Sequence, residues 1–450
     1  MKFGGTSVAD ATAIRRTAEI VRGRLSRRPI VVVSALSGVT NMLFAIAEQA
    51  TSGQEIAAQS NVLELRTRHL ECARALVGDT GAGARLAIEL SAMHDQLAAL
   101  AGALSVLGHA TPRSLDAIAA MGEQLSSLIV VAAFSCAGIP AVHVDAREII
   151  VTDGHHGKAE PQPEAIAEAA RARLAPHVRA RIVPVVGGFV GATVAKVTTT
   201  LGRGGSDYSA SLIGAALNAD AIEIWTDVDG MLTADPRIIP DAQLIGEIRF
   251  DEASELASFG AKVLHPNTIA PAVQRGISVF VFNSHHPAGT GTRITHDAPR
   301  RPVTAIAGKT DVTVVKVRSS RMLLAPGTLR RIFEIFERHR TSVDVVATSE
   351  VSVSVTIDDA SQLEALLGDL QVLGDVSVER QRGIIALVGG GLSDNSTAMA
   401  KALAALDGTR VHMMSVSASG INLTLIVDGD QVAPCTRRLH DVFFGRQLAA

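Results

Sequence analysis

Continuous apolar runs separated by long amphipathic stretches fill the first 290 residues. Runs such as Pro29–Ser34 (PIVVVS) and Ile182–Val186 (IVPVV) are typical of parallel strands that are buried on both faces. The stretches between such runs, including Ala9–Arg28 and Leu115–Ala137, have helical periodicity, and Glu55–Leu107 predicts two or three helices. Because strands and helices alternate throughout this part, the pattern predicts an α/β sandwich.

The pattern changes to shorter elements beyond residue 300. A polar segment at 295–303 predicts a linker, and two βαββα units of about 70 residues follow it. Each unit is ferredoxin-like in its order of elements. No catalytic constellation occurs in 300–450, so this part is expected to bind a ligand or to form a dimer. The predicted domains are 1–297, 304–380 and 381–450.

The stretch Thr198–Leu217 (TTTLGRGGSDYSASLIGAAL) joins a glycine-rich turn to a helix of small apolar residues. Ser206 and Asp207 lie at the junction and are predicted to cap the helix. Free N–H groups and the helix dipole favour an anion at such an N-terminus. Arg203 within the turn is suited to bidentate binding of a carboxylate or a phosphate. The alternative is a mobile glycine loop that only caps an ordinary helix, because short glycine motifs recur by chance.

A second glycine turn lies at the start of the chain, in the sequence MKFGGTS. Gly4 and Gly5 allow the backbone to approach a phosphate closely, and Lys2 supplies a positive charge. The sequence is not a Walker A loop, which is longer and ends in GK[ST]. Only Met1 precedes Lys2, so either the first strand is short or the natural chain begins upstream.

Polar residues also follow two later apolar runs. Ser34 and Thr40 come at and after the end of PIVVVS, at the edge where α/β sheets bind ligands, although helix capping alone would also explain Thr40. Asp227 and Asp229 follow the run AIEIWT. Together with the DPR sequence at 235–237 they suit magnesium-bound phosphates or a ribose. Aspartate, glycine and proline also build ordinary turns, which is the alternative.

Composition excludes several classes of function. The 450-residue chain has a formal net charge of −3 and no basic block, which argues against a nucleic-acid surface. Its three cysteines have no CxxC spacing, so neither a disulfide framework nor a zinc site is expected, and a reducing cytoplasm fits. The adjacent His155 and His156 are poorly spaced for one metal ion. A signal-peptide pattern and an apolar run of the ~18 residues that cross a bilayer are both absent, so no membrane association is expected.

The separate motifs together resemble those of the aspartate kinases. They are KFGGTS (2–7), Ser34-Ala35, Gly122-Glu123, TTLGRGGSD (199–207), WTDVDG (225–230), DPR (235–237), FGAKVLHP (259–266) and TSVDVVATSEVSVSV (341–355). They occur in the family's order, and the last is similar to the effector region of the family's ACT domains. The resemblance covers nearly the whole chain and is closest to the lysine-regulated, single-function type. It implies a three-layer α/β/α sandwich of the amino-acid kinase fold, followed by two ferredoxin-like (βαββαβ) ACT domains.

The resemblance implies an activity and a set of site residues. The family transfers a phosphoryl group from ATP to the side-chain carboxylate of L-aspartate, with Mg²⁺ held mostly by ATP and water. Because the acceptor is already an anion, this reaction needs positioning and charge neutralisation rather than a general base. The product, 4-phospho-L-aspartate, leads to lysine, threonine and methionine. The implied catalytic residues are Lys2 and Asp207, the aspartate ligands are Ser34, Thr40, Glu123, Phe189, Arg203 and Ser206, and the ATP ligands are Lys2, Gly4, Gly5, Thr226, Asp227, Arg237 and Lys262.

The resemblance also implies regulation by an amino acid bound to the ACT region. Lysine is the expected feedback inhibitor, because the acidic Asp344 and Glu350 are suited to an ammonium group. Thr328 stands where lysine-regulated relatives have phenylalanine, and Leu232 stands where many members have a tyrosine that contacts the nucleotide. Threonine, both amino acids together, or no effector therefore remain as alternatives. The implied effector residues are Met322, Ser342, Val343, Asp344, Ser349 and Glu350.

The sequence also predicts a mode of assembly and leaves two alternative functions. Strand edges in 300–450 predict a homodimer through this part. One alternative function is a different kinase of the same fold, which would act on glutamate, acetylglutamate, carbamate or UMP. The other is an amino-acid sensor that uses only the ACT pair. The ordered motifs argue against the first, and intact Lys2, Arg203 and Asp207 argue against the second.

Overall fold

The computed structural model describes residues 1–260, 266–320, 326–392 and 394–445. The chain divides into two compact units. The first unit combines Met1–Met231 with Leu264–His296, and the second combines Leu232–Val263 with Asp297–Ala450. The segment 232–263 thus groups with the C-terminal part, although it precedes the predicted border at residue 297 in the sequence. The domain bounds 1–297, 304–380 and 381–450 remain predictions.

The elements of the first unit follow the predicted alternation of strands and helices. The strands are β1 (Lys2–Phe3), β2 (Val31–Val33), β3 (Ala141–Val144), β4 (Val151–Thr152), β5 (Val183–Gly187), β6 (Val190–Thr193), β7 (Thr198–Thr200) and β8 (Ile222–Thr226), and, after β9 (Glu247–Arg249) of the second unit, β10 (Val279–Asn283) and β11 (Thr292–Thr295). The helices are α1 (Ala11–Arg22), α2 (Val39–Thr51), α3 (Glu55–Val77), α4 (Gly81–Leu107), α5 (Pro112–Ala119), α6 (Met121–Cys136), α7 (Pro163–Arg173), α8 (Ala175–Arg179) and α9 (Gly205–Ala216), and, after α10 (Phe250–Ser258) of the second unit, α11 (Pro266–Gln274).

Seven strands of the first unit form one sheet in the order β3-β5-β2-β1-β8-β10-β11. All neighbouring pairs from β3 to β10 are parallel, and β11 is antiparallel to β10. The predicted parallel α/β architecture is therefore confirmed. Strand β1 has only two residues, but it lies at the centre of the sheet, where Lys2 pairs with Val32 on one side and with Ile224 on the other. The loops that follow β1, β2, β5 and β8 consequently meet at one edge of the sheet.

Aliphatic side chains fill most of the core, as the low aromatic content requires. The single tryptophan, Trp225, is 1% exposed and lies between Phe3, at 6.1 Å between ring centroids, and Phe282, at 4.9 Å. Its indole N–H donates to the buried Glu223 carboxylate at 3.1 Å. This cluster joins β1, β8 and β10, so it stabilises the strands whose ends carry the phosphate-binding candidates.

Two predicted helical features differ in the structure. The predicted helix Leu115–Ala137 is two helices, α5 and α6, which meet at Ala120. The second difference is the start of α9, where the N-cap is Gly204, with a φ of 72° and no side chain that could cap the helix. Ser206 and Asp207 therefore lie in the first turn, and the prediction that they cap the helix is wrong. A left-handed backbone at this point favours glycine over serine.

Two helical segments, Gly81–Leu107 and Pro112–Cys136, have the length and apolar composition of a membrane span, contrary to the prediction that no run of this kind exists. In the second segment, 72% of the apolar window is buried inside the protein. The first is packed on one side, where Leu86, Leu90 and Leu97 belong to the core of the first unit. The second segment is thus mostly buried, as a core helix is, whereas 28% of the window of the first segment is buried.

The second unit contains one six-stranded antiparallel sheet in the order β13-β14-β12-β15-β17-β16. Helices accompany it, and separate apolar clusters lie under each half. Besides β9 and α10, the elements described in this unit are β12 (Ala305–Arg318), α12 (Thr328–Arg338), β13 (Val346–Thr348), β14 (Ser352–Ile357), α13 (Leu363–Gln371), β15 (Asp375–Val388), α14 (Ser396–Ala405), β16 (Met413–Val416), β17 (Asn422–Asp428) and α15 (Val432–Phe444).

Strands β12 and β15 belong to both ferredoxin-like halves. Residues 312–318 pair with 375–382 in one half, and residues 305–309 pair with 384–388 in the other, with irregular register between them. The sequence analysis predicted two βαββα units in succession, whereas in the structure β12 and β15 each run through both halves. Residues 305–309 therefore form the edge strand of the half that contains 384–388, although they lie far upstream of that half in the chain.

Candidate active site

Four loops converge at the carboxyl edge of the parallel sheet. Gly4 and Gly5 follow β1, Ser34 follows β2, Phe189 comes shortly after β5, and Asp227 follows β8. The parallel strand order places these loops side by side, so the structure brings together polar groups from distant parts of the sequence. The sequence analysis expected ligand-binding residues at this edge because the carboxyl ends of parallel strands lie side by side.

Lys2 and Asp207 form a nearly buried ion pair at this edge. The Nζ atom of Lys2 lies 2.7 Å from Oδ1 of Asp207, and the two side chains are 10% and 16% exposed. Asp207 is in the first turn of α9, where the helix dipole favours a negative charge. A Cβ atom added at Gly4 would lie 3.5 Å from the Lys2 ammonium group, so the glycine leaves one flank of that group uncovered.

The Glu123 carboxyl lies in the first turn of α6 and is 3% exposed. Burial raises the pKa of Glu123 to about 8, and a backbone hydrogen bond from Ala35 and the charge of Lys2 act in the opposite direction. Within the part of the chain that the structure describes, its Oε2 atom is buried and has no hydrogen-bond partner. A buried carboxyl oxygen without a partner is a costly arrangement, and a cationic ligand group would remove that cost.

Glycines let the end of β5 touch the N-terminus of α9. A Cβ atom at Gly188 would lie 2.7 Å from Cβ of Ser206, and one at Gly205 would lie 2.6 Å from the Phe189 ring. Phe189 has a φ of 65°, and its N–H donates to the Ser209 hydroxyl at 3.0 Å. Phe189 and Ser206, both implied aspartate ligands, therefore lie next to each other.

Arg203 occupies the tip of the glycine-rich turn. Gly202 and Gly204 on either side have φ values of 76° and 72°. The Arg203 side chain is exposed, and no hydrogen bond or ion pair joins it to any residue that the structure describes. A guanidinium group presented in this way retains all its donors for a ligand anion.

The remaining candidate aspartate ligands lie along the β2–α2 connection. Ser34 is half-buried, and its carbonyl oxygen accepts a hydrogen bond from the Ser126 hydroxyl at 2.7 Å. Thr40 is the second residue of α2, whose N-cap is Gly38 without a side-chain bond, so Thr40 does not cap this helix. Gly122 permits the close approach of α6 to this connection, since a Cβ atom there would lie 2.9 Å from Cβ of Ala35.

The β8 end carries the candidate nucleotide ligands. The Thr226 hydroxyl donates to Asp227 at 3.1 Å, and Asp227 is exposed. The structure adds Asn283, which the sequence analysis missed. Asn283 is paired with Thr226 in the sheet register, and its side-chain amide donates to Asp229 at 2.7 Å. Its place as the last residue of a strand next to β8 was the signal that could have found it.

The other two predicted ATP ligands are not in the described part of the first unit. Arg237 belongs to the second unit, where its guanidinium group donates to Asp235 at 2.6 Å and lowers the pKa of that carboxyl. Lys262 lies outside the described residues.

The adjacent histidines, which were judged poorly spaced for one metal ion, bind different carboxylates. His155 contacts Asp153, and His156 contacts Asp116. No cluster of three or more His, Cys, Asp or Glu side chains suited to a metal occurs among the residues described.

The candidate effector residues flank the edge strand β13 of the second unit. Burial and a hydrogen bond with Asp358 raise the pKa of Asp344 to about 6, and the nearby Lys309 ammonium group, 3.7 Å from the carboxylate, acts in the opposite direction. The Ser349 hydroxyl lies 2.7 Å from that of Ser352, and Glu350 is exposed. Ser342 and Val343 precede β13, and Met322 lies outside the described residues.

Comparison with known proteins identifies the family. A family model described as the amino acid kinase family matches residues 1–283, and an ACT domain model matches residues 385–443. Lysine-sensitive aspartokinase 3 of Escherichia coli is 36% identical over 457 residues, which cover 98% of each chain. The chain belongs to the aspartokinase family. Aspartokinase 3, chloroplastic, of Arabidopsis thaliana is also 36% identical, over 99% of this chain and 81% of that protein.

Solved aspartokinase structures support the same assignment. The E. coli aspartokinase III complex with aspartate and ADP has a TM-score of 0.84 and 35% identity, and the match covers 98% of this chain and 99% of that one. The complex of the same enzyme with lysine and aspartate has a TM-score of 0.83 and 35% identity, over 98% of each chain. The expected amino-acid kinase fold with a C-terminal ACT domain is confirmed, and the chain is a kinase.

Proposed function

We propose that this aspartokinase transfers the γ-phosphoryl group of ATP to the side-chain carboxylate of L-aspartate. The observation that carries the proposal is the nearly buried Lys2–Asp207 ion pair, together with a carboxyl oxygen of Glu123 that has no hydrogen-bond partner among the described residues. An ion pair at a helix N-terminus suits an anionic phosphoryl group, and a buried carboxyl suits an ammonium group. An amino acid with a second carboxylate and ATP supply both kinds of group.

The reaction needs two anions to approach each other. A carboxylate oxygen of aspartate attacks the γ-phosphorus, a new P–O bond forms, and the bond to the bridging oxygen breaks, leaving ADP. Lys2 offsets the charge on the transferred group, and Asp207 holds the Lys2 ammonium in place. The Gly4 N–H donates to the Trp225 carbonyl at 3.0 Å, so it is not available to the phosphates. Gly4 instead lets the phosphates approach the backbone closely, because it has no side chain.

Aspartate is held through its α-carboxylate and α-ammonium groups. Arg203 binds the α-carboxylate, because its exposed guanidinium offers a bidentate pair of donors. Glu123 binds the ammonium group, because one oxygen of its buried carboxyl has no partner within the described part of the chain. The other residues that we assign to the aspartate subsite are Ser34, Thr40, Phe189 and Ser206.

ATP is held by the loops after β1 and β8. Thr226 and Asp227 serve the nucleoside part, and Gly4 and Gly5 lie on the phosphate side. We also assign Arg237 and Lys262 to ATP on the strength of their motifs alone. The described residues offer no carboxylate cluster for a resident metal, so Mg²⁺ is expected to enter with ATP, held by phosphate oxygens and water.

A hydroxamate assay tests this function directly. With ATP and hydroxylamine, aspartate is expected to give its hydroxamate, because the acyl phosphate reacts with the amine. Glutamate, acetylglutamate, carbamate and UMP should give no ATP turnover above background. A preference for one of these acceptors would move the chain to another activity of the same fold. Nucleotide binding without turnover of any acceptor would favour the sensor function.

Regulation and assembly are further parts of the proposal. Lysine inhibits the enzyme by binding at Ser342, Val343, Asp344, Ser349 and Glu350, with Met322 completing the set. Support comes from the carboxylates in this region and from the lysine-sensitive relative. The edge strand β13 suits pairing between two copies, which would give a homodimer in the cytoplasm.

A further inference from the structure

The carboxylate of Asp116 in α5 is 2% exposed and accepts hydrogen bonds from three separate places in the first unit. The Thr200 hydroxyl donates to it at 2.6 Å, Nδ1 of His156 at 2.7 Å, and the backbone N–H of Gly157 at 3.0 Å. Because a carboxylate only accepts, Nδ1 of His156 carries the proton of this hydrogen bond. These three donors compensate a buried charge that no lysine or arginine of the described chain contacts.

Two of these partners adjoin the turn that carries Arg203. Thr200 is the last residue of β7, two positions before Gly202. The backbone N–H of Ala159 donates to the Thr200 carbonyl at 2.9 Å. A Cβ atom at Gly202 would lie 3.2 Å from the Gly157 carbonyl oxygen, so the 153–160 segment packs directly on the turn. The Asp116 carboxylate thus fixes both the strand that enters the turn and the segment that covers it.

We propose that Asp116 and Thr200 are positioning residues for aspartate binding, because their hydrogen bond sets the place of Arg203. This inference rests on the assignment of Arg203 to the aspartate α-carboxylate. Arg203 itself lies between two glycines with left-handed backbone conformations, and no hydrogen bond or ion pair joins it to another described residue. The start of the turn must therefore be fixed by its neighbours, and a bidentate pair is sensitive to displacements well below the length of a hydrogen bond.

A matched pair of threonines on β7 allows a clean test. Thr199 and Thr200 are both buried, and the hydroxyl of each makes one hydrogen bond within the described residues. The Thr199 hydroxyl lies 2.7 Å from that of Thr152, whereas the Thr200 hydroxyl donates to Asp116. Thr200→Val is expected to raise the KM for aspartate by roughly tenfold to a hundredfold, with the KM for ATP within about twofold of wild type. Thr200→Ser, which keeps the hydroxyl, should restore the wild-type value, and Thr199→Val should leave it unchanged.

Amide hydrogen exchange in the ligand-free protein supplies a readout that does not depend on activity. Thr200→Val should speed exchange in the peptide 201–208, and Thr199→Val should not. Asp116→Asn should raise the aspartate KM and speed exchange in 201–208 more strongly than Thr200→Val does. A cooperative thermal transition of this variant would first establish that it folds. Equal effects of Thr199→Val and Thr200→Val, or a fall in kcat without a rise in the aspartate KM, would overturn the positioning role.

The two proposals can fail separately. If Arg203→Ala raises the aspartate KM and Thr200→Val does not, the function stands and the positioning role is wrong. If the enzyme turns over another acceptor, the assignment of Arg203 to aspartate is wrong. In that case the hydrogen-exchange result still decides whether Asp116 and Thr200 fix the turn.

Discussion

Glu123 lies in an environment unlike that of an ordinary surface acid, since its side chain is 3% exposed. Its pKa is raised to about 8 by burial, against an unfolded value near 4.5. Between these values the folded protein retains a proton that the unfolded chain releases. The contribution of Glu123 to the free energy of unfolding therefore falls as pH rises, by up to about 1.4 kcal/mol per pH unit.

Glu123→Gln should remove this pH dependence. We expect the ligand-free variant to gain stability relative to wild type as pH rises from 5 to 8, because glutamine has no proton to lose. Urea unfolding at several pH values measures the difference. A difference that stays constant with pH would show that the buried carboxyl does not titrate in this window.

Aspartate binding should also shift the Glu123 proton. An ammonium group beside Glu123 favours its ionised form, so wild-type protein at pH 7 should release close to one proton when aspartate binds. Calorimetry in two buffers of different ionisation enthalpy measures this release. Glu123→Gln should bind aspartate weakly and release none, whereas equal release by both proteins would contradict the role of Glu123.

Arg203→Ala tests the other end of the substrate. Loss of a charge-assisted bidentate contact costs about 2–4 kcal/mol, which corresponds to a roughly 30- to 1,000-fold higher KM for aspartate. The KM for ATP should change little, because Arg203 is assigned to aspartate only. Initial rates with each substrate varied in turn provide both values, and a similar rise in both would contradict the assignment.

At the scale of elements, the contact between β5 and α9 depends on glycines. Gly188→Ala would place a Cβ atom 2.7 Å from Cβ and 2.8 Å from Cα of Ser206, and the helix backbone cannot yield easily. We expect a loss of about 1–3 kcal/mol in unfolding free energy and a large fall in kcat/KM for aspartate. Gly102→Ala in α4 is the control, since its Cβ meets open space and should stabilise the helix by about 0.5–1 kcal/mol.

The elements also show what the sequence could and could not predict. The apolar runs located β2, β5 and β8, because strands buried on both faces leave a direct hydrophobic pattern. The start of α9 was misplaced because a left-handed Gly204 replaced the expected side-chain cap. The site motifs were found, whereas Asn283 and Asp116 were missed, since their importance arises from partners 40 or more positions away in the sequence.

The double use of β12 and β15 was not predictable from the pattern. Each is a 14-residue strand in which one half serves each ferredoxin-like unit. Local periodicity indicates a strand but not which distant strand pairs with it. The irregular register around Lys309 and Val312 marks the change of partner within the sheet.

At the scale of the whole molecule, the regulatory half should respond to pH. The Asp344 carboxyl, with a pKa raised to about 6, must be ionised to bind the ammonium group of lysine. Inhibition by lysine should therefore weaken as pH falls through 6. Lysine should inhibit the Asp344→Asn variant poorly at every pH. Lysine titrations of the initial rate between pH 5.5 and 8 measure this. An inhibition constant that does not vary with pH would remove Asp344 from the effector site.

The most direct measurement is the initial rate of aspartate-dependent ADP release by the full chain, without effector, with lysine, with threonine and with both. We predict that ADP release requires aspartate and that lysine alone suppresses it. If ADP release does not respond to lysine, the kinase function stands and the effector assignment is contradicted. Thr328, which replaces the phenylalanine of lysine-regulated relatives, would then be the first residue to examine. The absence of aspartate-dependent ADP release under every condition would contradict the central claim.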